Sequence, residues 1–319
     1  MHTFLQIVLL IVGFIMLVKG ADWFVEGASE AAERLGIPQL VIGLTIVAMG
    51  TSAPEAAISI SAAAKHSADI AVGNVLGSNI LNILLILGIT AVITPLAVKK
   101  STVKYEIPFV VAISVLMALL GLIDGKMGRI DGIVLWGCFI LYMAYLLKMA
   151  KKDPEPQSEK EKIEETLPKA RFSVLKIVIL IIVGVALIIF GSNITVDAAT
   201  ELARIIGVNE RIIGLTIVAF GTSLPELVTC VVAGLKKKAD IAIGNIVGSN
   251  IFNVLFVLGT SAIITNIPYQ SGFLIDSIVA VAAALLLWLL VLRKKKLSRI
   301  GGVIMLIGYA AFFVYLIMG

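Results

Sequence analysis

The chain states its largest motif twice. GLTIVAMGTSAPE at 43–55 returns as GLTIVAFGTSLPE at 214–226, identical at 11 of 13 positions. A second pair, ADIAVGNVLGSNILNILLILG at 68–88 and ADIAIGNIVGSNIFNVLFVLG at 239–259, is identical at 14 of 21. Both pairs are 171 residues apart, and that offset holds without a gap from Ile11 against Ile182 to Thr94 against Thr265. The repeating unit is therefore about half of the 319 residues, and any fold must be assembled from two copies of one structure.

That structure belongs in a bilayer. With 59% hydrophobic residues, 15% charged residues and a mean hydropathy of +1.05, the chain lacks the polar groups to cover a water-facing surface. About 20 apolar residues carry a helix across the roughly 30 Å hydrocarbon core. Ten such stretches are present, at 3–21, 38–64, 69–97, 105–123, 130–149, 173–196, 211–235, 240–265, 272–292 and 299–318. Helices are expected because backbone groups in lipid must be satisfied within their own segment, and no alternating ten-residue pattern points to a barrel. Met-His-Thr at the start lacks the basic region of a signal peptide, so the first stretch is expected to remain as a helix. Cys138 and Cys230 fall within spans and are read as structural thiols, while His2 and His66 are isolated near helix ends.

Five spans per copy is an odd number, so the second copy enters the membrane upside down relative to the first. The charges fix which side is which. With the N-terminus outside, 21 of the 26 Lys and Arg residues fall on cytoplasmic connections and only Lys65, Lys126, Arg129, Arg204 and Arg211 lie outside. The expected organisation is a five-helix repeat over 1–149, a charged cytoplasmic linker over 150–171 and an inverted five-helix repeat over 172–319, with both termini outside a cell membrane. The net charge of +5 then reflects topology: the basic residues lack the aromatic interleaving of a nucleic-acid surface. No nucleotide motif occurs, since GLIDGK at 121–126 has the wrong spacing for a phosphate loop.

The chemistry sits where the copies are most alike. A carboxylate in the middle of a span is unfavourable by about 3 kcal/mol on insertion scales, and this reading finds two, Glu55 and Glu226. A proline precedes each, removing a backbone donor and clashing with the carbonyls of Gly50 and Gly221, so these helices should break and release carbonyls around Ala48 and Ala219. Thr51, Ser52 and Glu55 share a helical face, and Thr222, Ser223 and Glu226 repeat it. On the next span Asn74, Ser78 and Asn82 recur every fourth residue, as do Asn245, Ser249 and Asn253. Beside them Gly73, Gly77, Gly244 and Gly248 permit close helix packing. Every candidate ligand is an oxygen, the set that hard cations such as Ca²⁺ take, and the His and Cys ligands of zinc or copper are absent from these stretches. Two glutamates neutralise one divalent ion or two monovalent ones.

GTSAPE and GTSLPE, each followed by a GNxxGSNxxN stretch, resemble the α-repeats of the sodium/calcium exchanger family, prokaryotic type, within the cation/calcium antiporter group. The resemblance covers both repeats. It implies an all-α membrane fold of ten helices in two inverted repeats, with broken or kinked helices 2, 3, 7 and 8 around one central cation site and the first and sixth helices sliding across that core. Ligands carried over position by position are Ala48, Thr51, Ser52, Glu55, Ser78 and Asn82, with Ala219, Thr222, Ser223, Glu226, Ser249 and Asn253. The implied activity is alternating-access exchange of Na⁺ for Ca²⁺ by a monomer in the lipid bilayer, without cofactor, nucleotide or enzymatic step. Some branches carry Asp where this chain has Asn253, so transport is expected to be independent of K⁺. A Ca²⁺/H⁺ antiporter of the same fold is the alternative, disfavoured because Val75, Leu76 and Gly77 follow Asn74 where that branch carries an acid. A cation channel would leave the inverted duplication without a purpose.

Overall fold

The computed structural model describes residues 2–65, 68–152, 172–207, 219–269 and 271–318. The first span is α1 (His2–Leu35), stopped by Gly36 at φ +64° and Pro38. The second is split into α2 (Gln39–Thr51) and α3 (Ala53–Ala64), bent by 53°. Then come α4 (Asp69–Ile93), α5 (Thr102–Asp124) and α6 (Arg129–Lys152). The second half comprises α7 (Val174–Ile205), the short α8 (Ala219–Gly221), α9 (Leu224–Leu235), α10 (Ala239–Ile264), α11 (Ser271–Leu292) and α12 (Arg299–Met318). Eight described helices are long enough to cross a membrane alone, and the bent pair α2–α3 makes a ninth span. The start of the seventh expected span, 211–218, lies outside the described residues, as do His66 and most of the linker.

Two short ladders fix the relation between the halves. The connection from α4 to α5 carries β1 (Leu96–Ala97), which pairs antiparallel with β4 (Lys296–Leu297) between α11 and α12. The connection from α5 to α6 carries β2 (Lys126–Met127), which pairs with β3 (Ile267–Pro268) between α10 and α11. Each ladder thus joins unlike connections of the two copies, which meet on one face only if one copy is inverted. The ladders also locate a deletion: β1 and β3 are 171 apart, whereas β2 and β4 are 170 apart. Buried positions of α5 (Val110, Ile113, Met117) match those of α11 (Ala280, Ala283, Leu287) at the shorter offset.

α10 and α4 form the centre, with 94% and 72% of their apolar stretches buried against 22–39% for the other unbroken spans. The outer helices turn Phe4, Ile133, Leu141, Leu175, Ile182, Leu289 and Ile307 outward, a surface that only lipid covers favourably. α1 and α7 run antiparallel along one another at backbone contact: a methyl group on Gly20 would lie 2.8 Å from the Gly184 carbonyl, and one on Gly191 2.9 Å from the Gly13 carbonyl. Only glycine allows that approach.

Each Pro-Glu pair produces the expected break in a specific way. Ser52 (φ −83°, ψ 9°) and Ser223 (φ −94°, ψ 6°) leave helical geometry, and Pro54 and Pro225 enter the first turns of α3 and α9, where their missing N–H is not required. The third and eighth spans are distorted by a different device. They lack a proline and remain continuous, and their distortion is instead a π-helical turn at Asn82–Leu87 in α4 and Asn253–Leu258 in α10, at matched repeat positions. One extra residue per turn changes the direction of the side chains around each asparagine.

Candidate cation site

The two breaks meet at the middle of α4 and α10, and the polar groups there are tied across the repeats. Ser52 Oγ donates to Glu226 Oε1 at 2.7 Å, and Ser223 Oγ donates to Glu55 Oε1 at 3.3 Å. Each glutamate is therefore held by the serine of the opposite copy. Glu55 is 1% exposed and Glu226 0%. Their second oxygens, Glu55 Oε2 and Glu226 Oε2, have no hydrogen-bond partner among the described residues.

A ring of asparagines closes the other side. Asn79 Nδ2 donates to the Asn250 carbonyl and Asn250 Nδ2 to the Asn79 carbonyl, both at 3.2 Å. Asn82 Nδ2 donates to Asn250 Oδ1 at 3.1 Å and Asn253 Nδ2 to Asn79 Oδ1 at 3.2 Å. These bonds fix the amide orientation of Asn82 and Asn253 and leave Oδ1 of each buried without a partner among the described residues. Four acceptor oxygens, two carboxylate and two amide, are thus desolvated in symmetric pairs. Unpartnered buried acceptors are unfavourable by about 1–3 kcal/mol each, and all four are of the oxygen type that hard cations take. Asn79 and Asn250 escaped the sequence reading, although GSN in both copies marked them: the fourfold spacing drew attention to Asn74, Ser78 and Asn82 instead.

Thr51 and Ser249 complete the ring of hydroxyls. Thr51 Oγ1 lies 2.9 Å from Asn245 Oδ1 and 3.1 Å from the Val47 carbonyl, and Ser249 Oγ reaches the Ala48 carbonyl at 3.5 Å. Ser78 is 5% exposed, and Thr222 is half-buried. The Ala48 carbonyl is not released as the proline break implied. It still accepts from Ser52 N at 3.0 Å, because the clash falls on Gly50, two residues later. In the second copy Ser223 N bonds Phe220 O at 3.2 Å and so relieves the Ala219 carbonyl of that bond. Asn74 is held by Ser59, its Nδ2 donating at 2.8 Å, as a helix tie beside the site.

The halves differ in closure. α10 lies hard against α2: a methyl on Gly244 would sit 3.0 Å from Gly43 Cα, and one on Gly248 2.7 Å from the Leu44 carbonyl. Gly77, the counterpart of Gly248, is exposed, and the residues matching Gly43 and Leu44 are Gly214 and Leu215, outside the described residues. Ion pairs reinforce the tight face: Lys236 Nζ lies 2.7 Å from Asp22 and 3.8 Å from Glu26, Lys238 lies 3.8 Å from Glu33, and Lys99 lies 2.8 Å from Asp240. Asp240 is thereby a bridging residue.

A third buried glutamate stands at the end of a span. Glu106, near the start of α5, is 1% exposed and bonded to the Tyr145 hydroxyl. Three basic residues beside it, Lys99, Lys100 and Lys104, make this end of the span read as a connection in the sequence.

An inverted pair of helical repeats around a buried, two-carboxylate oxygen site defines a membrane transporter of cations. A family model described as sodium/calcium exchanger protein matches residues 5–148 and 176–318, one copy each. The chain belongs to the sodium/calcium exchanger family, and its fold is the one expected from the motifs. It is similar to the inner membrane protein YrbG of Escherichia coli, 39% identical over 287 residues and 88% of each chain. The sodium/calcium exchanger MaX1 of Methanosarcina acetivorans is 29% identical over 97% of each chain. A solved structure of the sodium-calcium exchanger NCX_Mj aligns with a TM-score of 0.84 at 31% identity, covering 98% of this chain and 99% of that one.

Proposed function

We propose that the chain exchanges Na⁺ for Ca²⁺ across a cell membrane by alternating access, with a single site shared by both loads. The observation that carries this is the set of four buried acceptors, Glu55 Oε2, Glu226 Oε2, Asn82 Oδ1 and Asn253 Oδ1, related in pairs by the repeat. Two carboxylates match the charge of one Ca²⁺ or two Na⁺, so either load neutralises the site and the two compete. Thr51, Ser52, Ser78, Thr222, Ser223, Ser249 and the Ala48 and Ala219 carbonyls supply the further oxygens such ions require, since Ca²⁺ takes about 6 to 8. Without an acid at Asn82 or Asn253 there is no charge for a third, co-transported K⁺ to balance, and exchange is independent of K⁺.

The positive-inside distribution supports an orientation with both termini outside and the linker around 150–171 in the cytoplasm, one repeat before it and the inverted one after it. On that orientation the face closed by α2, α10 and the Lys236 bridges is cytoplasmic, and the conformation is outward-facing. All the ligands lie on one chain, which suits a functional monomer.

The test is Ca²⁺ uptake into vesicles holding purified protein, loaded with Na⁺ and diluted into Na⁺-free medium. Uptake that collapses without the Na⁺ gradient and ignores K⁺ is expected. Uptake that follows a pH gradient and ignores Na⁺ would assign the protein to proton exchange, and conduction without countertransport would make it a channel.

A further inference from the structure

Outside the ion site, the densest unused chemistry surrounds Glu106. One turn of α5 and two of α6 bring it together with Thr102, Tyr142 and Tyr145. Glu106 accepts a hydrogen bond from the Tyr145 hydroxyl, yet its Oε2 has no partner among the described residues. The Tyr142 hydroxyl, 4% exposed, likewise has none among the described residues. Two unpartnered oxygens thus stand together, one of them on a carboxylate that, when ionised, only accepts.

A cavity of about 460 Å³ adjoins them, lined by Lys104, Tyr105, Glu106, Phe109, Tyr142 and Tyr145 among others. Its rings form a wall: Phe109 stacks on Tyr142 at 5.4 Å, and Tyr105 lies 6.4 Å from Tyr145. Leu141, which lines the same cavity, is 72% exposed, so the groove reaches the outer surface of the bundle. Lys104 stands at the lip with its ammonium 5.1 Å from the centre of the Tyr105 ring. Glu106 is two residues further along, a rise of about 3 Å, so the whole cluster lies at headgroup depth.

An acceptor carboxylate and aromatic faces beneath an exposed cation fit a zwitterion. We propose that this groove binds the headgroup of a phospholipid bearing a primary ammonium, the ammonium on Glu106 and Tyr142 and the phosphate on Lys104. A primary ammonium has three N–H donors for the orphan oxygens, whereas a trimethylammonium has none. Aromatic rings attract either cation, so the carboxylate and hydroxyl set the preference. The other leaflet lacks the arrangement. At the 170-residue offset Asp276 and Tyr315 preserve an acid and a phenol, but Leu274, Ile275, Val279 and Phe312 replace Lys104, Tyr105, Phe109 and Tyr142. Recognition is confined to the leaflet on the side of the β1–β4 ladder.

Native mass spectrometry of delipidated protein, titrated separately with phosphatidylethanolamine, phosphatidylcholine and phosphatidylglycerol of equal chain length, tests this. The ethanolamine lipid is expected to be retained at least about tenfold better than the choline lipid, and Glu106→Gln, which still accepts from Tyr145, is expected to abolish that preference. Lys104→Gln, at an exposed position, provides a second variant with no buried group to disturb and is expected to weaken retention several-fold. Equal retention of ethanolamine and choline lipids by the native chain overturns the proposal. So does preference for the glycerol lipid, or unchanged retention in monodisperse Glu106→Gln or Lys104→Gln protein.

Discussion

Replacing Glu226 by glutamine removes one negative charge from the site and almost nothing else. The substituted amide has the same shape, and its oxygen still accepts from Ser52 Oγ, which lies 2.7 Å from Glu226 Oε1. The fold is therefore expected to persist. Two unit charges 4 Å apart interact by about 4 kcal/mol at an effective dielectric of 20, and a divalent ion doubles that to about 8. If half is offset by the relief of desolvating the carboxylate, about 4 kcal/mol remains, close to a thousandfold loss of Ca²⁺ affinity. Glu55→Gln should do the same, because Glu55 and Glu226 are held by each other's serines and belong to one cage. Calorimetric titration with Ca²⁺ and uptake into Na⁺-loaded vesicles measure the loss, with thermal melting as the control for folding. Half of the native flux in either single variant would mean that each glutamate serves its own port, and the one-site reasoning would fail.

Asn250→Leu deletes the acceptor of Asn82 and the donor to the Asn79 carbonyl, leaving two buried polar groups unpaired. A loss of about 2–5 kcal/mol is expected, read as a lower melting temperature; an unchanged one would mean that the asparagine ring does not bind the halves together. Gly20→Ala drives a methyl to within 2.8 Å of the Gly184 carbonyl, where backbone cannot yield, and about 1–3 kcal/mol of stability should go with it. Lys236→Gln breaks bridges to Asp22 and Glu26 whose partners are 30–39% exposed, so melting should shift little. Solvent access to the α2–α10 contact, followed by hydrogen exchange, should nevertheless rise.

The sequence announced the features that depend on local chemistry and hid those that depend on company. Pro54 and Pro225 carry their own steric consequence, so the breaks at Ser52 and Ser223 were legible from one strand of text. The glutamates were legible because a carboxylate among apolar residues has no other explanation. Asn79 and Asn250 were not, since their role is a reciprocal bond between two chain segments 171 residues apart, and neither segment alone differs from an ordinary packed helix. The π-helical turns at Asn82 and Asn253 were unreadable for a related reason: no residue type signals them, and they are selected by how α4 and α10 cross. Glu106 was lost at a boundary, where flanking lysines make a span end look like a loop.

The repeat also explains why the two faces differ in energy although their sequences nearly coincide. An exchange of conformation between inverted halves requires each contact on the closed face to be replaced by its counterpart on the other. At the 171-residue offset the counterparts of Lys236, Asp22 and Glu26 are Lys65, Asn193 and Asp197, and those of Lys238, Glu33, Lys99 and Asp240 are Ser67, Arg204, Gln270 and Asp69. Only the pairing of Lys65 with Asp197 keeps both charges. Partly exposed pairs are worth up to about 1 kcal/mol each, so losing the rest biases the equilibrium by about 1–3 kcal/mol, or roughly 5- to 150-fold. On the proposed reading the polar centre, where the copies are most alike, is indifferent to the exchange, and the rim, where they have diverged, is expected to set which way the empty protein faces.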